Sequence, residues 1–381
     1  MKRNSTIALL VIVNCVVSLF TLAQNPIYGG EKTVTINGLT FDAMEPQLST
    51  DGNALFFNSL NDGITTSLNY AARVNDTTFN YIGAVPVVNQ TVTPRLDAVA
   101  SIDTMDNFYW VSTRGWPTIT ENLHRIRFLT AGYTNFGRVY GDFYIASPGW
   151  LIMDAGVSYY GDKMIYCNAL FNSCTNNMPC KAAMGIAQKI NDSTFNKMAN
   201  TSTIFANVND TVNYIVFAPN LTEDGLELFY TRLLHNGTQT EVMVSTRSNT
   251  NSAFGAPSVL VGAPSLLPEA PTVTTDKSKM YYHKKIGPIF KIFVQYRQTT
   301  TDIKQQTSNS SISMYPNPAS SYININSKTT LTEIKIINIL GDVVLKETNS
   351  NGIETIDVSS LKAGVYFLKC DDRFIEKIIV Q

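Results

Sequence analysis

The sequence lacks an excess of charge of either sign. Its 381 residues include 29 lysines and arginines and 30 aspartates and glutamates, which gives a formal net charge of −1. Proteins that bind nucleic acid or an anionic membrane surface through electrostatics carry a clear positive excess. The charge balance therefore predicts no nucleic-acid partner.

Cysteine and histidine are scarce as well. Five cysteines are too few for a disulfide scaffold, although Cys174 and Cys180 are close enough in sequence for one local bridge in an oxidising compartment. The three histidines, His124, His235 and His283, lie far apart along the chain. Common hydrolase motifs, phosphate-binding loops and EF-hand spacing are also absent from the sequence. We therefore predict no metal and no cofactor.

Long apolar runs are missing except at the N-terminus. There, Lys2 and Arg3 precede an apolar run from Ile7 to Leu22, and the small residue Ala23 follows it. This order is typical of a secretory signal peptide, here residues 1–23. The run is shorter than the roughly 18 residues that a membrane span needs, and no later segment is long and apolar enough to span. We therefore predict an exported chain without a transmembrane anchor.

Helical apolar spacing is absent over most of the middle of the chain, and a repeat takes its place. "EPQLSTDGNALFF" (45–57) reads as strand, Asp-Gly turn and strand, and the same pattern recurs four more times at intervals of 52 to 62 residues. The acids at the five turns are Asp51, Asp106, Asp162, Asp224 and Asp276. Each unit contains short alternating strands between polar turns, which predicts four strands per repeat.

Units of this size with four strands each are typical of propeller blades, which must stack around an axis to bury both faces. We therefore predict a five-bladed β-propeller over residues 24–297. The fifth repeat lacks an outer strand, so the spare strand at 32–39 is predicted to complete it and close the ring. The aromatic residues after each turn are predicted to pack between blades: Phe56, Tyr109, Tyr166, Phe229 and Tyr281.

The repeats resemble the WD40-like (PD40) propeller repeat, E-P-x-L-S-x-D-G-x-x-L-Y-F. The best match is Glu45 to Phe57, and the match is also good in the fourth repeat. The second and third repeats depart from it, because Ala98 and Ala155 replace the proline. The resemblance implies a β-propeller but no particular activity.

A polar linker at 298–311 precedes a second run of short alternating strands from 312 to 381, which predicts a small antiparallel, Ig-like β-sandwich. This segment resembles the type A C-terminal sorting domain of the type IX secretion system of Bacteroidetes. The resemblance rests on "YPNP", "NILGDVV", "IDVSSLKAGVYFLK" and "KIIV", in that order. It implies sorting-signal roles for Tyr315, Pro316, Asn317, Pro318, Gly341, Gly364 and Tyr366. It also implies the secretion machinery as a partner and a secreted or outer-membrane surface location.

The inner strands of the first three repeats carry Glu45, Asp97 and Asp154 at one aligned position. Acids that crowd at one end of the axis raise one another's pKa, as an acid and base pair for glycoside hydrolysis requires. This layout resembles the five-bladed glycosidases in blade number and in its three acids. Loops near the same mouth carry Arg114, Trp116 and Trp150, which are candidate ligand contacts.

Two functions remain open at this point. The first is a non-catalytic propeller that binds an extracellular glycan, peptide or protein at this mouth. The second is a glycosidase that uses the three acids as its catalytic residues. A purely structural role is a third alternative.

Overall fold

The computed structural model describes residues 24–130, 132–172, 174, 178–263, 265–298, 312–327, 330–339, 341–349, 354–371 and 374–381. The predicted signal peptide, and all but the first residue of the predicted linker, lie outside the described residues. The chain divides into two units, one up to Thr299 and one from Thr300.

The N-terminal unit contains five sheets at the positions of the five repeats. Sheet 1 comprises β3 (Met44–Leu48), β4 (Ala54–Asn58), β6 (Leu68–Asn75) and β7 (Thr78–Ala84), with β2 (Thr35–Asn37) parallel to β7. Sheet 2 comprises β8 (Arg95–Ile102), β9 (Asn107–Ser112), β10 (Leu123–Leu129) and β11 (Gly132–Arg138), with β5 (Thr65–Thr66) parallel to β8. Sheet 3 comprises β12 (Trp150–Val157), β13 (Lys163–Leu170), β14 (Lys181–Asn191) and β15 (Thr194–Lys197).

The last two sheets of this unit follow the same plan. The short helix α1 (Thr201–Ile204) precedes sheet 4, which comprises β16 (Tyr214–Leu221), β17 (Glu227–Leu234), β18 (Thr240–Thr246) and β19 (Ser258–Gly262). Sheet 5 comprises β20 (Glu269–Val273), β21 (Lys279–Ile286), β22 (Ile289–Arg297) and β1 (Tyr28–Thr33). Among the described residues, no helix is both long and apolar enough to cross a membrane.

The innermost strands form a ring. Strands β3, β8, β12, β16 and β20 contact one another in this order, and β20 contacts β3. A separate apolar cluster fills each interface between neighbouring sheets. Because successive side chains of a strand point to opposite faces, Tyr281 packs toward sheet 1 while Tyr282 packs toward sheet 4. The five aromatic residues predicted to pack between blades are all buried, which confirms that prediction.

The strand that closes the ring begins earlier than the sequence indicated. Strand β1 pairs with β22 from Tyr28 to Thr33, so only the first two residues of the predicted segment 32–39 lie in it. Residues 35–37 instead pair with β7 of sheet 1. The Tyr28 side chain anchors β1, because it is buried, lies edge-on to Phe229 and donates from its hydroxyl to Lys277 O at 2.7 Å. The sequence did not predict this strand because Gly29 and Gly30 are unfavourable in strands.

The C-terminal unit contains two antiparallel sheets. Sheet 6 comprises β23 (Ile312–Tyr315), β24 (Tyr322–Ser327) and β27 (Thr355–Asp357). Sheet 7 comprises β25 (Glu333–Ile337), β26 (Val343–Thr348), β28 (Gly364–Cys370) and β29 (Phe374–Val380). Ile323 and Ile356 of sheet 6 share one buried core with Ile334, Ile336 and Leu368 of sheet 7. The predicted all-β architecture, a propeller-like unit followed by a small sandwich, is confirmed.

Candidate functional site

Each inner strand carries a β-bulge. The bulges fall between Met44 and Gln47, Ala98 and Ser101, Ile152 and Asp154, Phe217 and Asn220, and Glu269 and Thr272. Bulges re-aim side chains beside active sites and other openings. Here they determine which acids face the axis. We call the end of the ring at which the inner strands start the channel mouth. The opposite end carries the tight turns that follow the inner strands, and we call it the turn end.

Three carboxyl groups from three sheets interact at the channel mouth. They belong to Glu45 on β3, Asp154 on β12 and Glu269 on β20, and we call them the carboxyl cluster. Glu45 and Asp154 were predicted from the sequence, whereas Glu269 was not. The sequence did contain a signal for Glu269, because it directly precedes the Ala270-Pro271 pair that matches the Glu45-Pro46 pair of the first repeat.

Glu45 is half-buried and held by amides. Its carboxylate accepts hydrogen bonds from Asn58 Nδ2 and from Asn61 Nδ2, the latter at 2.7 Å. Asn58 is fully buried, and its Oδ1 accepts from the Val99 backbone N–H at 3.1 Å, which ties sheet 1 to sheet 2. Burial raises the pKa of Glu45 to about 6, although the two amide donors act in the opposite direction. Glu45 is therefore mostly ionised at neutral pH.

The surroundings of Asp154 and Glu269 disfavour their ionised forms more strongly. Asp154 is 2% exposed, and its Oδ2 has no hydrogen-bond partner among the described residues. Burial, followed by the charge of Glu45, raises the pKa of Asp154 well above its usual range. Burial and the charges of Glu45 and Asp154 raise the pKa of Glu269 to about 8. Glu269 therefore favours the protonated form at neutral pH, and the pKa of Asp154 is shifted in the same direction.

A neutral histidine stands beside the cluster. His283 is fully buried, and burial lowers its pKa to about 3. Its Nδ1 lies 3.0 Å from the Glu45 backbone N–H, which assigns Nδ1 as the acceptor and places the ring proton on Nε2. This Nε2 lies 3.6 Å from Glu269 Oε2. His283 therefore directs an Nε2–H toward Glu269 and adds no positive charge at the mouth.

Asp97 is not brought into the cluster. It is fully buried and accepts from the Gln90 backbone N–H at 2.6 Å and from Trp110 Nε1 at 3.2 Å. In this sheet the residue with positive φ is Val99, two residues later than Asp97, so Asp97 remains in the ladder opposite Ser112. The bulge of β8 lies two residues further along the chain than the sequence alignment placed it. Counting residues from the turn therefore could not distinguish Asp97 from Glu45 and Asp154.

Trp116 and Trp150 lie together in a pocket of about 560 Å³ on the same side of the ring. We call it the aromatic pocket, and its lining includes Trp116, Pro117, Trp150, Phe171 and Asn172. Trp116 Nε1 lies 3.4 Å from Trp150 O, and the Phe171 N–H donates to Gly149 O at 2.9 Å. Both tryptophans are half-buried. The rings therefore combine fixed positions with accessible apolar surface.

The loops around this pocket are braced in two ways. Gly149 has a φ of +83°, and a Cβ there would lie 2.2 Å from Asn172 Cβ, so the close approach of the two loops requires glycine. A disulfide joins Cys174 to Cys180, with 5.4 Å between their Cα atoms. The second loop is thus closed just after Phe171 and Asn172.

Arg114 lies outside the aromatic pocket. Its Nη2 donates to Val88 O at 2.9 Å and lies 3.8 Å from Asp97 Oδ1, while its guanidinium stands over the Phe136 ring. These contacts place Arg114 in the packing around Asp97. Its predicted role as a ligand contact finds no support in them.

In the C-terminal unit, the "YPNP" stretch is tied to the last strand. Asn317 Nδ2 donates to Lys377 O at 2.8 Å, and Asn317 Oδ1 accepts from the Ile379 N–H at 2.9 Å. Tyr315 is exposed, Gly341 occupies a turn with a φ of +92°, and the Tyr366 hydroxyl donates to Lys362 O at 2.8 Å. Gly364 begins β28, and Pro316 and Pro318 flank Asn317 in the chain. Asn317 thus links the entry of the unit to its C-terminal strand.

These features define a class: a propeller-like β unit that is joined to a C-terminal sorting unit. Residues 313–381 match the family model described as "Secretion system C-terminal sorting domain". The predicted sorting domain is thereby confirmed, and the chain is exported to the cell surface or secreted through the type IX secretion system. No curated protein matches the chain.

Solved structures resemble this chain at low identity. A structure titled "Glycoside hydrolase" is 9% identical with a TM-score of 0.50, over 72% of this chain and 91% of that chain. Zg3597, a family 117 glycoside hydrolase of Zobellia galactanivorans, is 10% identical with a TM-score of 0.45, over 72% and 92%. PorZ, a surface component of the type IX secretion system of Porphyromonas gingivalis, is 11% identical with a TM-score of 0.35, over 90% and 52%. The likeness to the first structure, at 9% identity, indicates a shared fold alone.

Proposed function

We propose that this exported protein is a propeller of the PD40 type that binds an extracellular glycan at the channel mouth. The observation that carries the proposal is the aromatic pocket, in which Trp116, Trp150 and Phe171 surround a space of about 560 Å³ where β12, the strand that carries Asp154, begins. Flat aromatic faces pair an apolar surface with a polar edge, which suits the faces of sugar rings. The braced loops reduce the entropy that binding would otherwise cost.

The small size of the central cavity favours glycan binding at the rim of the channel rather than deep inside it. The cavity that Glu45 and Asp154 line has a volume of about 30 Å³, with inner-strand residues of all five sheets around it. Such a cavity holds one or two waters and is too small for a sugar ring. A glycan would therefore lie across the mouth and the aromatic pocket, with only small groups directed into the channel.

The experiment passes the purified protein over immobilised polysaccharides and glycoproteins and measures how much protein is retained. We expect retention by the wild type and a loss of at least tenfold in affinity for Trp116→Ala, about 1.4 kcal/mol or more. Tyr160→Ala is a matched control, because Tyr160 is 62% exposed and lies at the turn end. Retention that is unchanged in Trp116→Ala would contradict the proposal.

A glycosidase is the second candidate, and the separated pKa values favour it. At neutral pH, Glu269 with a pKa of about 8 could serve as general acid, while Glu45 with a pKa of about 6 could serve as base or nucleophile. New reducing ends should then vanish in Glu269→Gln and in Glu45→Gln. They should persist in Asp97→Asn where that variant folds, because Asp97 is engaged with Trp110. Retention without cleavage would leave binding as the function.

A further inference from the structure

The carboxyl cluster has no cation to balance it. Among the described residues, no lysine or arginine forms an ion pair with Glu45, Asp154 or Glu269, and the neighbouring His283 is neutral. Acids that are buried without a counter-charge are costly, and proteins normally pair them. At the turn end, by contrast, the buried Glu227 is paired with both Lys277 and Arg297. The missing counter-charge at the mouth is therefore a specific feature of this site.

Two buried polar atoms at the mouth also lack a partner within the described residues. Asp154 Oδ2 accepts no hydrogen bond, and His283 Nε2 makes none, although it faces Glu269 Oε2 at 3.6 Å. Buried polar groups are paired in the great majority of cases, so each exception needs an explanation. A donor-rich group that enters the cluster would satisfy Asp154 and bring Glu269 into its ionised form, which His283 can then stabilise as a donor.

The size of the cavity selects the kind of cation. The space beside Glu45 and Asp154, about 30 Å³, admits a group the size of water, such as an ammonium head. A bare metal ion needs several oxygen or nitrogen ligands converging within about 2.0 to 2.6 Å of one point. The described residues contain no group of three acids, histidines or cysteines arranged to hold one. An ammonium group donates over longer hydrogen bonds and suits the two separate carboxylates of Glu45 and Asp154 better.

We propose that the channel mouth binds the ammonium group of an amine-bearing glycan, with the ammonium in the part of the carboxyl cluster where Glu45 and Asp154 line a cavity, and the sugar rings on the aromatic pocket. This inference rests on the proposed glycan-binding function. Trp150 and Asp154 lie four residues apart on β12, about 13 Å at the usual rise of a strand, so one oligosaccharide can span both features.

The test compares oligomers of glucosamine and of N-acetylglucosamine of equal length, which differ in the free amine. Calorimetry on the full chain should show that the glucosamine oligomer binds about tenfold more tightly. In Glu269→Gln and in Asp154→Asn the two oligomers should bind within about twofold of each other. Glu223→Gln, an exposed acid at the turn end, should keep the full preference. Thermal unfolding of each variant checks that it is folded.

The outcomes separate the inference from the function on which it rests. If both oligomers bind equally and both depend on Trp116, the ammonium site is wrong and glycan binding stands. If neither oligomer binds while oligolysine binds through Glu269, both the proposed glycan binding and the amine-bearing glycan as ligand are wrong. If the preference survives in Glu269→Gln and Asp154→Asn alike, the cluster does not hold the amine.

Discussion

The two ends of the central ring carry acids in opposite environments. At the turn end, Asp51 accepts from the Ser49 hydroxyl at 2.6 Å and from the Asn53 N–H at 3.0 Å, and these bonds lower its pKa. At the mouth, burial raises the pKa of Glu45 and Glu269 above the usual range. The difference shows that the balance between burial and donated hydrogen bonds, rather than the residue type, separates the acids that hold the turns from the acids of the candidate site.

The largest effect should come from a turn acid of sheet 2. Asp103 is fully buried and accepts from the Met105 N–H, the Asn107 N–H and Asn107 Nδ2. Asp103→Ala should lower the free energy of unfolding by about 3 kcal/mol, because several buried donors lose their acceptor. Urea unfolding measures this loss. Asp103→Asn keeps one acceptor oxygen and should lose less; equal losses would show that hydrogen bonding is not the cause.

Replacing an acid at the channel mouth should stabilise the protein rather than destabilise it. The pKa of Glu269 is about 8 in the folded protein and about 4.5 when unfolded, so its burial costs nothing below about pH 4.5 and costs most above pH 8. Glu269→Gln should therefore leave stability unchanged at pH 4 and raise the free energy of unfolding by about 2 kcal/mol at pH 9, less than the roughly 5 kcal/mol of the full shift, because the side chain is 19% exposed and water screens its charge. Urea unfolding at both pH values tests this. If Glu269→Gln destabilised the protein at pH 9, the contrast between the acids at the two ends of the ring would be wrong.

A smaller effect should appear at the turn acid Asp276. Burial opposes ionisation, but bonds from the Thr274 hydroxyl and from Ser278 outweigh it and lower the pKa of Asp276 to about 2. Its contribution to stability is present above about pH 4 and is lost as the pH falls toward 2. Because Asp276 is exposed, solvent screening limits the contribution to about 1 kcal/mol or less. Asp276→Asn should show a shallower loss of stability than the wild type between pH 4 and pH 2 in thermal unfolding.

The smallest effect should come from an exposed pair at the turn end. The Tyr160 hydroxyl donates to Glu223 Oε1 at 2.5 Å, but Tyr160 is 62% exposed. Water replaces such a bond readily, so Tyr160→Phe should leave the free energy of unfolding essentially unchanged. A larger change in urea unfolding would mean that exposed turn-end pairs matter as much as the buried ones.

Much of the fold was readable from local patterns. The recurring turn acids and alternating strands predicted five units, and five sheets lie at those positions. The closing strand was harder to find, because Gly29 and Gly30 hide a strand whose place depends on Tyr28 packing against Phe229, about 200 residues away. That contact is invisible to any pattern of neighbouring residues.

The candidate site was readable only in part. Glu45, Asp154, Trp116 and Trp150 were all singled out from their positions in the repeat. Asp97 failed to join them because a bulge two residues later keeps it in the ladder. The roles of Glu269 and His283 depend on sheet 5 standing next to sheet 1.

The sequence by itself determined the export route and the class of fold, because sorting motifs and strand periodicity are properties of neighbouring residues. Only the tertiary structure decided which acids meet at the mouth, which of them go without a counter-charge, and which end of the ring has acids saturated with donors. The physical reason is that pKa and pairing depend on groups brought together from different sheets. Closing the ring places β20 against β3, and that contact brings Glu269 and His283 to Glu45.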